Sequence, residues 1–202
     1  NIPFHNNPFG IPDSAAIAAC GSTPGCSPDA TWAFSTPLNT AGGQVNGLEV
    51  NYQQPFTFLP GVLRHTGLLA NFTYVTSSVQ YPTATSGVFV NNQLLGLSKY
   101  AANATIYYED EHWSARVSGA YRTKYLIRVP GQETGTDADG FDATFNLDAS
   151  VQYTVNPHIK LTVEGVNLTD QYESEFNDTV RDLPYYYHHT GREILFGVRY
   201  QY

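Results

Sequence analysis

With 202 residues the chain is long enough for one domain of ordinary size. It is 42% hydrophobic and carries 15 Tyr and 11 Phe, yet only 14% is charged, against roughly 25% in average soluble proteins. The net charge of −8 argues against a nucleic-acid partner, because no basic patch exists to offset phosphates. No stretch approaches the ~18 apolar residues of a membrane helix. A mean hydropathy of −0.29 leaves room for a membrane β-barrel, in which apolar and polar residues alternate and cancel in any window.

Residues 1–43 show no sustained period and hold half of the 12 prolines, so they read as one long loop. The chain opens on Asn1 without Met, basic n-region or apolar h-region, which suggests a processed product or a fragment. The two cysteines, Cys20 and Cys26, lie close together, as suits an oxidising compartment, and are expected to form a disulfide. A zinc site would need partners that their neighbourhood lacks; two unpaired thiols are the other reading.

From residue 44 onward the dominant period is two. In 145–155 every odd residue, from Phe145 through Val151 to Val155, is apolar and every even one is polar. Such a strand has one oily and one wet face. Weaker copies predict seven strands near 44–54, 66–78, 97–109, 112–127, 141–155, 158–168 and 191–202. Most match or exceed the ~9–11 residues a tilted strand needs to cross a bilayer, where soluble strands run nearer 5–6. All prolines fall outside these spans, where a missing ladder donor does no harm.

The connections alternate in length. Short ones lie at 109–111 and 156–157, with a medium one at 55–65; the long ones are 79–96, 128–140 and 169–190, and 1–43 joins the long set. Tight turns at one end and extended loops at the other are the pattern of an outer-membrane barrel, periplasmic and external respectively. The parse puts Phe56, Tyr108, Trp113, Tyr153, Tyr200 and Tyr202 at one membrane boundary, and Tyr121, Tyr125 and Phe141 at the other, as aromatic girdles. Seven strands cannot close a bacterial barrel, so strands are expected upstream.

Specific residues now carry a family resemblance. Gly47–Phe56 followed by Phe58-Leu59-Pro60-Gly61 resembles the late barrel of TonB-dependent receptors, nearest the subgroup typified by Xanthomonas and Caulobacter. So do Asn71–Tyr74, Leu97–Lys99 leading to Asn103–Thr105, Tyr107–Glu109 and Ala115–Val117. Glu164–Asp170 resembles the family's penultimate-strand signature, and Gly191-Arg192 with Gly197–Tyr200 its closing strand. The resemblance spans residues 44–202 and implies an all-β, antiparallel transmembrane barrel of about 22 strands, of which these are the last seven. It also implies import of a scarce solute, carbohydrate first and a siderophore or other iron chelate second. Its implied partners are outer-membrane lipid, the TonB complex acting through an N-terminal plug outside this sequence, and the outer-membrane assembly machinery. A small eight-stranded barrel with a structural or adhesive role, using Ala30–Pro37 as a further strand, is the alternative.

The candidate solute site is Tyr185-Tyr186-Tyr187-His188-His189 in the last long connection, whose flat aromatic faces and polar tips suit a sugar or an aromatic chelator. Girdle or loop packing is its bland alternative. The loop acids Glu133, Asp137, Asp139, Asp170, Glu173, Glu175, Asp178 and Asp182 show no EF-hand pattern and read as a solvated surface rather than a cation site. No metal or cofactor is expected. Arg116, Arg122 and Lys124 either guide anionic solutes or, more economically, pair with Asp148 and Glu164. The aromatic terminus, Tyr200 and Tyr202, resembles the signal read by the assembly machinery. No serine sits in a nucleophile elbow and no His-Glu-x-x-His run occurs, so no enzyme is expected.

Overall fold

The computed structural model describes residues 2–5, 7, 9–33, 42–83 and 88–202. The chain divides into two compact units, Asn1–Thr40 and Ala41–Tyr202.

In the first unit β1 (Ile2–Pro3) pairs antiparallel with β2 (Thr31–Trp32), and α1 (Asp13–Cys20) lies between them in sequence. The helix contradicts the reading of 1–43 as featureless loop. Its residues run Ala-Ala-Ile-Ala-Ala without an apolar stripe, so no helical period could show. Gly21, at φ +53°, ends it by returning its N–H to the Ile17 carbonyl at 3.2 Å. Cys20 and Cys26 are disulfide-bonded, with Cα atoms 5.4 Å apart. Asn7 replaces absent ladder bonds: its Nδ2 donates to the Phe4 and Ile11 carbonyls, at 2.9 and 2.6 Å. Thr31–Trp32 joins Ile2–Pro3 rather than the large sheet, and 34–37 of the alternative extra strand lie outside the described residues.

The second unit is built on β3 (Gly43–Pro55), β4 (Thr66–Pro82), β5 (Phe89–Asn92), β6 (Tyr100–Glu109), β7 (Trp113–Arg122), β8 (Tyr125–Arg128), β9 (Asp139–Phe141), β10 (Thr144–Asn156), β11 (Ile159–Val166), β12 (Glu173–Asn177), β13 (Leu183–His188) and β14 (Glu193–Tyr200). The large sheet, called the wall below, runs β14-β11-β10-β7-β6-β4-β3, all antiparallel, with β5 beside β4. Its seven long strands are those the period predicts. Register aligns the parities across all of them. One row reads Val50, Phe72, Ala102, Tyr121, Phe145 and another Leu68, Ile106, Val117, Ala149, Gly165, Ile194. The opposite face carries Asn71, Asn103, Ala120, Asn146 and, lower down, Arg116, Ser150, Glu164. Asn71 Nδ2 there donates to Asn51 Oδ1 at 2.6 Å and to Glu49 Oε1 at 3.0 Å.

Two expectations fail in detail. Pro3, Pro55, Pro82 and Pro184 do lie in strands, but the first three are terminal residues and Pro184 is on an edge strand, where a lost N–H costs little. The long connections also hold five short strands. Four form a second sheet in the order β13-β12-β9-β8, which repeats β14-β11-β10-β7, so each short strand prolongs a wall strand. The span read as 112–127 breaks at Thr123-Lys124, and the start of the span read as 141–155 breaks at Asp142-Ala143. Tyr125 still faces Phe141, in register with Arg122 facing Thr144. Among the described residues of this unit, the buried apolar side chains lie in this loop sheet, Leu126 and Phe176, or directly beside it, Ala138 just before β9.

At the opposite end three turns finish in histidine. His65, His112 and His158 each precede a strand whose first residue faces a tyrosine: Thr66↔Tyr108, Trp113↔Tyr153, Ile159↔Tyr200. Each imidazole meets that tyrosine ring, at 5.9, 6.4 and 6.4 Å.

Candidate functional site

Where the wall strands break and the loop sheet begins, the second unit holds a cavity of about 380 Å³. Its wall side is polar: Arg122, Thr144 and Asn146 share the hydrophilic face. Its loop side is aromatic, from Tyr125, Phe141 and Tyr172, and Asn167 and Gln171 supply amides.

The turn Asn167–Gln171 fixes the floor. Asn167 adopts φ +52°, open to Asn more readily than to most residues. Its backbone N–H donates to Asp148 Oδ1 at 2.9 Å, and its Nδ2 donates to the Gly191 carbonyl at 3.0 Å. Its Oδ1 accepts from the Gln171 N–H at 2.7 Å. Thr169 Oγ1 donates to the Phe145 carbonyl at 2.8 Å, and Arg192 Nε to the Leu168 carbonyl at 2.9 Å. One short run of sequence therefore ties β10, β11 and the approach to β14, which gives the Glu164–Asp170 signature a mechanical meaning.

Arg122 is held from two sides. Its Nε donates to Ser98 Oγ at 3.0 Å, and its guanidinium lies 3.8 Å from the Tyr125 ring centre, a cation–π contact that aims the charge at the cavity. The expected pairing of Arg116, Arg122 and Lys124 with Asp148 and Glu164 is not what forms. Lys124 instead sits 3.9 Å from Asp182 Oδ1, and Asp148 accepts from Asn167. Arg116 shares a hollow with Asp148 and Glu164 but makes no ion pair with either among the described residues. Interstrand spacing on one face leaves such charges beside each other without forcing them together.

Of the predicted aromatic run, His188 lines the cavity. His189 stacks on Tyr172 with centroids 4.2 Å apart, and its Nε2 lies 2.7 Å from Asp170 Oδ1. Tyr187 meets Tyr172 edge-on at 6.4 Å. Tyr185 and Tyr186 are exposed on β13, away from the cavity lining. Sequence reasoning missed Tyr172, Asn167 and Gln171; the Asn167–Asp170 run was the available signal.

The loop acids are not uniformly solvated. Asp139 is 1% exposed and its Oδ2 accepts from Arg128 Nη1 at 3.2 Å and the Gln132 N–H at 2.8 Å. Asp178 is buried as well; hydrogen bonds from the Arg181 guanidinium and from the Arg181 and Val180 N–H groups hold its carboxyl below the usual range. These carboxylates satisfy loop backbone that has no ladder partner. Among the described residues no three His, Cys, Asp or Glu side chains are placed to hold a metal.

A profile of the TonB-dependent receptor-like β-barrel family matches residues 11–168. The solved structure of the siderophore receptor PiuA from Acinetobacter baumannii is similar over 79% of this chain, with a TM-score of 0.57 and 19% identity. That likeness is one of fold, and the chain spans 22% of the length of that receptor. No curated protein sequence matches.

Proposed function

Because the chain belongs to the family of TonB-dependent receptor-like β-barrels of the bacterial outer membrane, we propose that it forms part of the wall and outer rim of an importer for a scarce solute. In this reading residues 44–202 are barrel and 1–43 an external segment. The apolar wall face meets lipid, the polar face meets the lumen, and the short turns face the periplasm. Plug, TonB contact and the remaining strands belong to other parts of the whole protein. Tyr200 and Tyr202 serve the assembly machinery.

The observation that carries the reading is the cavity at the rim. It opens from the hydrophilic wall face, joins aromatic rings to side-chain amides, and holds one oriented guanidinium. Rings stack on sugar faces while amides and Arg122 bond hydroxyls, so a carbohydrate is the first candidate. Arg122 also favours an anionic iron chelate as the second. Tyr187, His188 and His189 frame the cavity through Tyr172, and Tyr185 and Tyr186 extend the aromatic surface beyond it. The test is solute binding by the whole protein with Arg122→Ala and Tyr172→Ala, beside growth of a deletion strain on defined carbohydrate or iron sources. Weakened binding with normal barrel assembly supports the site; unchanged affinity in both variants removes it.

A further inference from the structure

The three turns at the periplasmic end are chemically unlike. The one between β6 and β7 is Asp110-Glu111-His112, directly after Glu109 at the end of β6, and the one between β10 and β11 is Pro157-His158. The turn Phe56–His65 is longer, apolar and basic. Phe58 is 71% exposed, Val62 70% and Leu63 51%, while Arg64 and His65 stand without an acid in the turn. It is nonetheless ordered. The Leu59 N–H donates to the Phe56 carbonyl at 2.9 Å, a 3₁₀ turn spans Gly61–His65, and Thr66 Oγ1 caps the Leu63 carbonyl at 2.7 Å. Gly61 opens that turn at φ +62°, where a side chain would be strained.

Both ends of the turn lie on the apolar side of the wall. Phe56 continues the parity of Tyr52 and Leu48, and the Phe58 ring packs edge-on against it at 6.0 Å. His65 meets Tyr108, which shares its face with Ile106 and Val117. Phe58 therefore extends the lipid-facing surface beyond the strand ends, rather than the lumenal one, and Val62 and Leu63 stand exposed in the same turn. Apolar side chains beside basic groups that reach toward phosphates are the chemistry of an interfacial lipid contact.

We infer that Phe56–His65 is an anchor in the periplasmic phospholipid leaflet, with Phe58, Val62 and Leu63 turned back to the headgroup–acyl boundary beside the girdle and Arg64 at the headgroup phosphates. The inference rests on the orientation given under Proposed function. Single-cysteine variants of the whole protein, Leu63→Cys, Val117→Cys and Glu111→Cys, are labelled with a fluorophore. Each is reconstituted in phosphatidylethanolamine–phosphatidylglycerol vesicles that contain an acyl-chain nitroxide quencher. The Leu63 label should lose most of its emission to the nitroxide and little to aqueous iodide, while the Glu111 label does the reverse. If the Val117 label escapes the nitroxide, the embedding itself is wrong and the anchor falls with it. If Val117 is quenched but Leu63 responds to iodide, the turn stands in water and the anchor alone is overturned. Shielding of Leu63 from both quenchers also overturns it, since another protein segment then covers the turn.

Discussion

The wall and the loop sheet share a strand order and, on the β7–β10 side, a register, yet they bury opposite things. In the wall Val50, Ile106, Val117 and Phe196 are exposed over a continuous apolar face, and the hydrogen-bonding groups lie on the other. In and beside the loop sheet Leu126, Ala138 and Phe176 are buried, and the exposed positions include Tyr185, Tyr186 and Tyr187, Glu173, Arg128 and His188, with Leu183 and Pro184 at the start of β13. One hairpin, β7–β8 with β9–β10, makes both patterns within a few residues of the break. In the proposed orientation the solvent changes at that break while the strand order carries on across it: lipid accepts an apolar face without a core, whereas water requires one.

The largest effect is expected where the loop sheet has its single core aromatic. Phe176 is 2% exposed and its ring lies against Gly140, where an added Cβ would come within 2.6 Å. Phe176→Ala should cost the loop sheet about 3–5 kcal/mol, seen as faster hydrogen exchange across β12 and β13 with wall amides unchanged. Equal loosening of the wall would show that the two sheets are one cooperative unit. On the wall, Val151→Arg should cost about 2–4 kcal/mol if that residue lies near the bilayer midplane, and Gln152→Arg far less, measured by denaturant unfolding in vesicles. Similar costs would break the assignment of faces, because a one-residue slip exchanges them.

Smaller effects sharpen the contrast. The Cys20–Cys26 ring should add roughly 2 kcal/mol of local stability in the chain-entropy account. Reduction should therefore speed proteolysis within 1–33 and leave the wall's thermal transition where it was. At the short-turn end Asp110 is held at about 2, against an ordinary 3.8. The Tyr108 hydroxyl donates to it at 2.5 Å, and the Trp113 and His112 N–H groups donate at 2.7 and 2.8 Å. Its depressed value means that its contribution is complete above about pH 4 and is lost as the pH falls toward 2. Exchange at Glu111–Trp113 should rise over that window, and Asp110→Asn should flatten the response.

The amino-acid order alone determined the wall. Strict alternation in 145–155, looser alternation in 194–202 where Leu195 interrupts it, tight turns against long connections, and proline kept outside the long spans were enough for class, the number of long strands and the parity of each face. Those are properties of single strands, written every second residue. The Asn167–Asp170 run was visible as a signature, but its work was not, since its partners come from two other places in the chain, Phe145 and Asp148 on β10 and Gly191 before β14. The same limit hid α1, whose alanines carry no stripe, and the loop sheet, whose strands of three to six residues are too short for a period to show. Arg122 and Tyr172 meet in one cavity because wall hairpins separated by some fifty residues are set side by side by interstrand hydrogen bonding. Only the tertiary structure could decide that, because register between distant strands depends on pairing of whole edges and not on any local pattern.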